Sequence, residues 1–318
     1  MAERWTSMKH IKSVLALLLA LALGVGFALP AFAQAAPPAS SKFVVLGDSI
    51  AAGSNILNKD NAYAWIIAKE MGWELSNYAL GGSRSADLLQ QLEEDQVVRK
   101  GISEADIIVV SIGGNDFLHA GDMTALITDG MLGDYTRAEP IWDGFRENYD
   151  GIVAEIRALN PGAALIVQTL YNAAFPLPSL YRAYDAAISG MNDIIYANHA
   201  RQPDAYVIAD VYSAFQEKSG LVSFDMTHPS AAGHGMIAAV LLDTINGTET
   251  EVPLVYGGAL DWLVDTMEPA LGLLDKVVTF KPVLMVMKPL LWLVDKVLIE
   301  WLMNTVMYSL YLRSAKTW

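Results

Sequence analysis

The chain contains no cysteine among its 318 residues. This absence excludes a disulfide framework, a zinc site with thiolate ligands and a cysteine nucleophile. It also excludes a lipid anchor attached to an N-terminal cysteine. The compartment stays open on this ground, because large secreted domains can fold without disulfides.

Basic residues are scarce as well. The sequence has 21 lysines and arginines against 35 aspartates and glutamates, which gives a net charge of −14, and it has no long basic run. Nucleic acid is bound through a basic surface, so we expect no nucleic-acid partner. Apolar residues make up 53% of the chain, which is enough for one large core or two small ones.

The N-terminal segment shows the order of a secretory signal. Arg4, Lys9 and Lys12 precede an apolar stretch at 14–29, and a small-residue site at 31–33 follows. A basic start, an apolar middle and such a site are typical of signal peptides, so we expect cleavage after residue 33 and a secreted protein. The alternative is an uncleaved membrane anchor, because the apolar stretch approaches spanning length.

Short apolar runs alternate with helix-length segments from Lys42 onwards. The runs typical of buried strands lie at 43–46, 107–110, 164–167 and 206–208, with a weaker one at 74–78. Helical patterns lie at 62–71, 149–159 and 180–199. Continuous apolar strands separated by helices favour a parallel sheet that is covered on both faces. We therefore predict a three-layer α/β/α domain with a central, mostly parallel, five-stranded sheet.

The last 70 residues differ in composition. They are dominated by leucine, valine, methionine and tryptophan, and isolated charges such as Lys288, Asp295 and Glu300 interrupt every long apolar stretch. A membrane-spanning helix is therefore disfavoured. A helix that is apolar over most of its circumference needs a partner, so we expect helices that pack on the domain or on each other. The alternative is a set of helices that rest on a membrane surface.

Ser49 comes directly after the first apolar run, in the sequence Gly47-Asp48-Ser49. We expect a parallel strand to end and a helix to begin here. This places the serine at the carboxyl edge of the sheet, with the dipole of the helix beneath it. Serine is a poor nucleophile at neutral pH and needs a base. On this motif alone, a serine that caps a helix is the alternative.

His228 is the candidate base. Asp225 precedes it by three residues, in a loop ahead of a helix that we expect to start near Pro229. At this spacing the carboxylate can accept from Nδ1–H of the imidazole, which leaves Nε2 free to take a serine proton. The alternatives are a solvated Asp–His pair and half of a metal site shared with His234. We expect His234 to lie on the surface of its helix.

Two further loops can supply hydrogen-bond donors to a developing oxyanion. Gly81 and Gly82 follow the weak second strand, and a glycine lets a backbone N–H approach a substrate closely. Asn115 follows the third strand, and its side-chain amide can donate. Each loop taken singly is ordinary turn chemistry. Together with Ser49 and the Asp–His pair, they place four kinds of catalytic group in order along one edge of the predicted sheet.

These four blocks resemble those of the SGNH hydrolase superfamily, also called GDSL esterases and lipases. The segment at 170–172 also resembles that of secreted bacterial members. The matching blocks are 45–50, 77–85, 113–116 and 225–229. The resemblance covers about two-thirds of the chain and implies a flavodoxin-like arrangement of the sheet. The predicted layout is a signal peptide at 1–33, a flexible lead-in at 34–41, the hydrolase domain at 42–246 and an apolar helical extension at 247–318.

The resemblance also implies roles for single residues. Ser49 corresponds to the nucleophile, and Asp225 and His228 complete the triad. The backbone N–H groups of Ser49 and Gly82 and the side chain of Asn115 correspond to the oxyanion hole. No metal and no organic cofactor are implied.

The substrate is less closely defined by the sequence. The apolar C-terminal segment favours a lipid or lysophospholipid-like ester, and association with a membrane surface outside the cell follows if its helices rest on lipid. A carbohydrate or cell-wall O-acetyl esterase is the alternative. A hypothesis from another class is a non-catalytic cell-surface binding protein on the same scaffold.

Overall fold

A computed structural model of the chain describes residues 40–247, apart from 175–177, 217, 219, 224 and 226. The predicted signal peptide, most of the lead-in and nearly all of the C-terminal extension lie outside the described residues. Their predictions therefore stand as made from the sequence.

The centre of the described region is a parallel sheet of five strands. The strands are β1 (Lys42–Gly47), β2 (Glu74–Asn77), β3 (Ile107–Ser111), β4 (Ala164–Gln168) and β5 (Val207–Ala209). Their order is β2-β1-β3-β4-β5, and every neighbouring pair is parallel. This is the doubly wound order of flavodoxin-like folds. The predicted three-layer α/β/α fold with a parallel, five-stranded sheet is confirmed.

Nine α-helices connect and cover the strands in the described residues. They are α1 (Tyr63–Met71), α2 (Ser85–Glu94), α3 (Gln96–Ser103), α4 (Gly114–Leu118), α5 (Met123–Met131), α6 (Glu139–Leu159), α7 (Pro178–Arg201), α8 (Val211–Phe215) and α9 (Ala231–Asn246). The helix predicted at 149–159 is the second half of α6, which starts ten residues earlier with a proline in its first turn. None of these helices within 40–247 is long and apolar enough to cross a membrane.

Both faces of the sheet are buried, because successive strand residues point to opposite sides. Val44 and Leu46 of β1 pack into one core together with α2, α3, α6 and α7. Phe43 and Val45 pack into a second core with α1, α8 and α9. Each fully buried side chain of this kind stabilises the fold by about 1.5–3 kcal/mol. This alternation explains the continuous apolar runs in the sequence.

The segment after β1 differs from the prediction. Residues 48–55 form successive turns, and the first α-helix begins only at Tyr63, so no helix dipole lies directly beneath Ser49. The backbone N–H of Ser54 donates to the carbonyl of Ser49 at 2.8 Å. Gly53 and Asn55 both have positive φ, of 63° and 65°. Left-handed residues do not continue a right-handed helix, so the chain turns here.

Helix α9 starts at Ala231, close to the start predicted near Pro229. Ser230 is its N-cap, and the Ser230 hydroxyl accepts a hydrogen bond from the backbone N–H of Gly233 at 3.1 Å. Pro229 lies one residue before the cap and forms an isolated antiparallel bridge with Val222. The loop that carries His228 is thereby closed on itself before the helix begins.

Candidate active site

The backbones of β1 and β3 approach each other closely at the end of β1. A Cβ added at Gly47 would lie 1.9 Å from the carbonyl oxygen of Ser111, and Gly47 has a φ of 137°. A side chain cannot be accommodated here. The N–H of Asp48 then donates to that carbonyl at 3.2 Å, which turns the chain over the end of β3 and presents Ser49 at the carboxyl edge of the sheet.

Ser49, His228 and Asp225 form a continuous hydrogen-bonded row. Ser49 Oγ lies 2.8 Å from His228 Nε2, and His228 Nδ1 lies 2.7 Å from Asp225 Oδ2. A carboxylate only accepts, so Nδ1 carries the proton and donates, and Nε2 can accept from the serine hydroxyl. The structure thus brings together a serine and an imidazole that are 179 positions apart, in the geometry needed for proton transfer.

The loop of Asp225 holds its carboxylate in one orientation. Oδ1 accepts from the Ser223 hydroxyl at 2.7 Å and from the backbone N–H groups of Thr227 and His228 at 3.1 and 3.0 Å. Burial by itself raises the pKa of Asp225, but the hydrogen bonds from His228 and Ser223 outweigh it and hold the pKa well below its ordinary value of 3.8. The carboxylate is therefore charged at neutral pH and can stabilise an imidazolium.

The loop after β2 carries the two adjacent glycines. The N–H of Leu80 donates to the carbonyl of Gly47 at 3.0 Å and fastens this loop to the end of β1. Residues 80–83 form a turn in which Gly82 has a φ of 85°, as the third residue of a type II turn requires. A Cβ added at Gly81 would lie 3.9 Å from Ser49 Cβ, so the loop lies beside the serine. Which of the two glycines donates to an oxyanion stays a prediction.

Asn115 is 7% exposed and lies in the first turn of α4. One N–H of its amide donates to the carbonyl of Ser83 at 3.0 Å. An asparagine amide has two N–H groups, so this bond orients the side chain while the second N–H can serve a ligand. The structure thus links the loops after β2 and β3 to each other beside Ser49.

Asp48, which immediately precedes the serine, is a buried carboxyl group. It is 3% exposed, and its Oδ1 accepts from the backbone N–H of Ile50 at 2.9 Å. Burial raises the pKa of Asp48 from 3.8 to about 7. In an unfolded chain this carboxyl ionises near 3.8, so its contribution to stability falls as the pH rises from about 4 to about 7.

The Asp48→Asn variant is expected to be more stable than the wild type at high pH. At pH 8 its Tm should be higher by roughly 10 °C, because the rise of the Asp48 pKa from 3.8 to about 7 corresponds to about 4 kcal/mol and 1 kcal/mol moves the Tm of a domain of this size by about 2–4 °C. At pH 4 the two Tm values should nearly coincide. Thermal unfolding followed by circular dichroism at both pH values measures this, with the exposed Asp60→Asn as control. Equal Tm values at pH 8 would contradict a pKa of Asp48 that burial raises in the folded protein.

His234 does not lie on the surface, as the sequence had suggested. It is fully buried, its ring stacks on Tyr63 with centroids 5.9 Å apart, and its Nδ1 accepts from the Tyr63 N–H at 3.4 Å. It faces inward because it shares one side of α9 with Ile237 and Leu241, which are also buried. Burial lowers the pKa of His234 to about 4, so the ring is neutral at pH 7. Among the described residues, no group of three or more potential ligands is placed to hold a metal ion.

An apolar cavity lies next to the loops that carry Ser49 and His228. It holds about 820 Å³ of empty space, part of which is open to solvent. Ile50 and Thr227, the chain neighbours of Ser49 and His228, both line it. Most of the remaining wall consists of apolar side chains from α4, α5 and α7: Phe117, Leu118, Met123, Leu126, Ile127, Ala183, Ala187 and Ile188. The sequence analysis missed this cavity, because its lining comes from three separate helices.

Sequence comparison places the chain among known proteins. The model of the GDSL-like Lipase/Acylhydrolase family matches residues 45–236, which is more than half of the chain. The uncharacterized protein YpmR of Bacillus subtilis (strain 168) is 30% identical over 171 residues. That match covers 52% of this chain and 63% of YpmR, so it spans less than two thirds of the relative's length.

Structural comparison agrees on the fold. The lipase Lip_vut3 from a goat rumen metagenome is 21% identical, with a TM-score of 0.54, over 64% of this chain and 97% of that protein. LAE5, an alpha/beta hydrolase from the metagenome of Lake Arreo in Spain, is 22% identical, with a TM-score of 0.50, over 68% of this chain and 99% of that protein. With its parallel five-stranded sheet and the family match over 45–236, the chain belongs to the GDSL-like lipase/acylhydrolase family, whose members are hydrolases that act on esters.

Proposed function

We propose that this chain is a serine esterase that hydrolyses carboxylic esters with a lipid-like acyl chain. Ser49 is the nucleophile, His228 its general base and Asp225 the carboxylate that orients the base. The observation that carries the proposal is the row of contacts from Ser49 Oγ to His228 Nε2 at 2.8 Å and from His228 Nδ1 to Asp225 Oδ2 at 2.7 Å. Serine, a poor nucleophile by itself, is activated by such a base.

The reaction proceeds in two steps. Ser49 Oγ attacks the ester carbonyl while His228 Nε2 takes its proton, and a tetrahedral intermediate forms. The N–H groups of Ser49 and Gly82 and the amide of Asn115 stabilise its oxyanion. The intermediate collapses to an acyl-enzyme as His228 returns the proton to the leaving alcohol. Water, deprotonated by His228, then releases the carboxylic acid.

The cavity supports an acyl chain longer than acetyl. Its lining next to Ile50 and Thr227 is mainly apolar, and burial of each methylene in such a site stabilises the complex by about 0.8 kcal/mol. An acetyl group has one methyl group to bury against this lining, whereas a longer acyl chain buries several methylenes. A carbohydrate would place hydroxyl groups against apolar walls, at a cost in desolvation. The cavity therefore favours the lipid-like substrate over the O-acetylated polysaccharide.

A series of esters tests the substrate class. Across p-nitrophenyl acetate, butyrate and octanoate, kcat/KM is expected to rise with chain length, and acetylated xylan is expected to be a poor substrate. Ala187→Phe fills the cavity and should lower kcat/KM on the octanoate by roughly 10- to 100-fold while changing the acetate by less than about 2-fold. The matched control is Ala200→Phe, an exposed position on the same helix. Highest activity on the acetate, or equal losses on both esters in Ala187→Phe, would contradict the proposal.

We further propose that the enzyme acts outside the cell, with its C-terminal helices associated with a membrane surface. The basic, apolar and small-residue order at 1–33 and the apolar composition after residue 252 support this location. A lipid-like ester is available to an enzyme at such a surface.

A further inference from the structure

Asn55 lies in the same turn structure as Ser49 but is not part of any block that the sequence analysis singled out. It is exposed, and its φ of 65° places it in the left-handed region, which asparagine tolerates better than most residues. The turns that carry it are well braced. Lys59 Nζ donates to the carbonyls of Ala52 and Gly53 at 2.9 and 2.8 Å, and the N–H of Ser54 donates to the carbonyl of Ser49 at 2.8 Å. Asn55 is therefore held in a fixed position relative to the serine.

The side chain of Asn55 reaches across to the loop of the histidine. Its Nδ2 donates to Asp225 Oδ2, the same oxygen that accepts from His228 Nδ1. Nδ2 also lies 3.0 Å from His228 Nδ1, which is the spacing of two donors that share one acceptor. The reverse orientation of the amide would set a carbonyl oxygen against a carboxylate, so the donor assignment follows from the charge of Asp225.

Asn55 differs from the other hydrogen-bond donors to Asp225 in its distance along the chain. The donors Ser223, Thr227 and the His228 backbone lie within three residues of Asp225 and move with its loop. The bond from Asn55 spans 170 positions and ties that loop to the turns of Ser49. Local bonds can keep the Asp–His pair intact while the pair shifts as a unit away from the serine. A misplacement of about 1 Å at reacting atoms can cost about 100-fold in rate.

We propose that Asn55 is a positioning residue that fixes the Asp225–His228 pair in register with Ser49. This inference rests on the proposed serine-esterase function. The amide of Asn55 acts through Asp225 and does not touch the substrate. Its loss is expected to lower kcat and to leave KM nearly unchanged, because the bond orients the base and contributes nothing to ground-state binding.

Two substitutions separate the amide from the backbone role of this residue. Asn55→Gly allows the positive φ and removes the hydrogen-bond donor. Asn55→Asp keeps the size of the side chain and also tolerates the positive φ, but it replaces the donor by a charged acceptor next to Asp225. On p-nitrophenyl butyrate, kcat is expected to fall by about 10-fold in Asn55→Gly and by about 100-fold in Asn55→Asp, the range for a hydrogen bond to a charged group. KM should stay within about 2-fold, and both variants should keep the far-UV circular dichroism of the wild type.

Asn58→Asp is the matched control, since it makes the same change three residues further along the chain. The Asn58 side chain accepts from the N–H of Asp60 at 3.1 Å, a role that aspartate also fills, so kcat should stay within about 2-fold of the wild type. If Asn55 serves the turn alone, Asn55→Gly and Asn55→Asp will both retain wild-type kcat, and the proposal is overturned. A rise in KM without loss of kcat overturns it as well.

The proposed function is tested separately in the same experiment, through the wild type and Ser49→Ala. If the wild type does not hydrolyse the butyrate and is not labelled by a fluorophosphonate, the serine-esterase assignment itself is wrong. If the wild type is active and labelled but Asn55→Gly turns over at the wild-type rate, only the positioning role of Asn55 fails.

Discussion

Replacing Ser49 by alanine is expected to lower kcat on p-nitrophenyl butyrate by about 10⁴- to 10⁶-fold. The variant lacks the atom that lies 2.8 Å from His228 Nε2, so no acyl-enzyme can form and water must attack the ester without an activated nucleophile. Steady-state hydrolysis measured with enough enzyme to resolve the residual rate gives the ratio.

The loss must be separated from an effect on folding. Ser49 is 6% exposed and small, so removal of its hydroxyl should leave the far-UV circular dichroism and Tm close to those of the wild type. Ser54→Ala makes the same change in the same turns and should keep kcat within about 3-fold. More than about 1% residual activity in Ser49→Ala would show that another group carries the reaction.

Asp225→Asn is expected to lower kcat by about 10³- to 10⁴-fold. The change keeps the size of the side chain but removes the charge that stabilises the imidazolium. The new amide can also donate to His228 Nδ1, which favours the tautomer with the proton on Nε2, the nitrogen that must accept from Ser49. The carboxylate of Asp225 accepts from Ser223, Thr227 and His228, so the effect on its loop is best followed by Tm in parallel with kcat.

Asp60→Asn provides the control for this charge change. Asp60 is exposed in the 3₁₀ turn at Lys59–Asn61, and the variant should retain full activity. An Asp225→Asn enzyme with kcat within about 10-fold of the wild type would mean that His228 keeps its working tautomer without the carboxylate. The assignment of Asp225 would then be wrong.

The fold was predictable from the sequence because strands that are buried on both faces appear as continuous apolar runs. Strands β1, β3 and β4 contain continuous apolar runs, and both of their faces are covered by helices. The N-terminal half of α6 was missed, and its fully buried positions begin only at Phe145. The turns after β1 were also missed, because they depend on positive φ at Gly53 and Asn55, which composition alone does not reveal.

The candidate site was predictable in part. Ser49, Asn115 and the Asp225–His228 pair lie in short motifs at the ends of strands, and parallel strands bring such ends to one edge. Asn55 gave no comparable signal, since an asparagine shortly after a glycine is typical of any tight turn. Its contact with Asp225 depends on how two loops 170 positions apart meet in space.

His234 shows that residue type alone does not predict whether a side chain is buried. It was predicted to lie on the surface, but its position on α9 puts it on the same side as Ile237 and Leu241. The helical period, rather than the residue type, decides its burial. The same geometry separates it in role from His228, whose side chain is 12% exposed and faces Ser49.

The most direct test of the central claim is the site of covalent modification by a fluorophosphonate probe. The purified protein is treated with the probe, digested and analysed by mass spectrometry, with Ser49→Ala in parallel. The predicted result is a single phosphonylated peptide that contains Ser49, absent from the variant. A folded wild-type protein that stays unlabelled, as a binding protein on the same scaffold would, or an adduct on another residue, would contradict it.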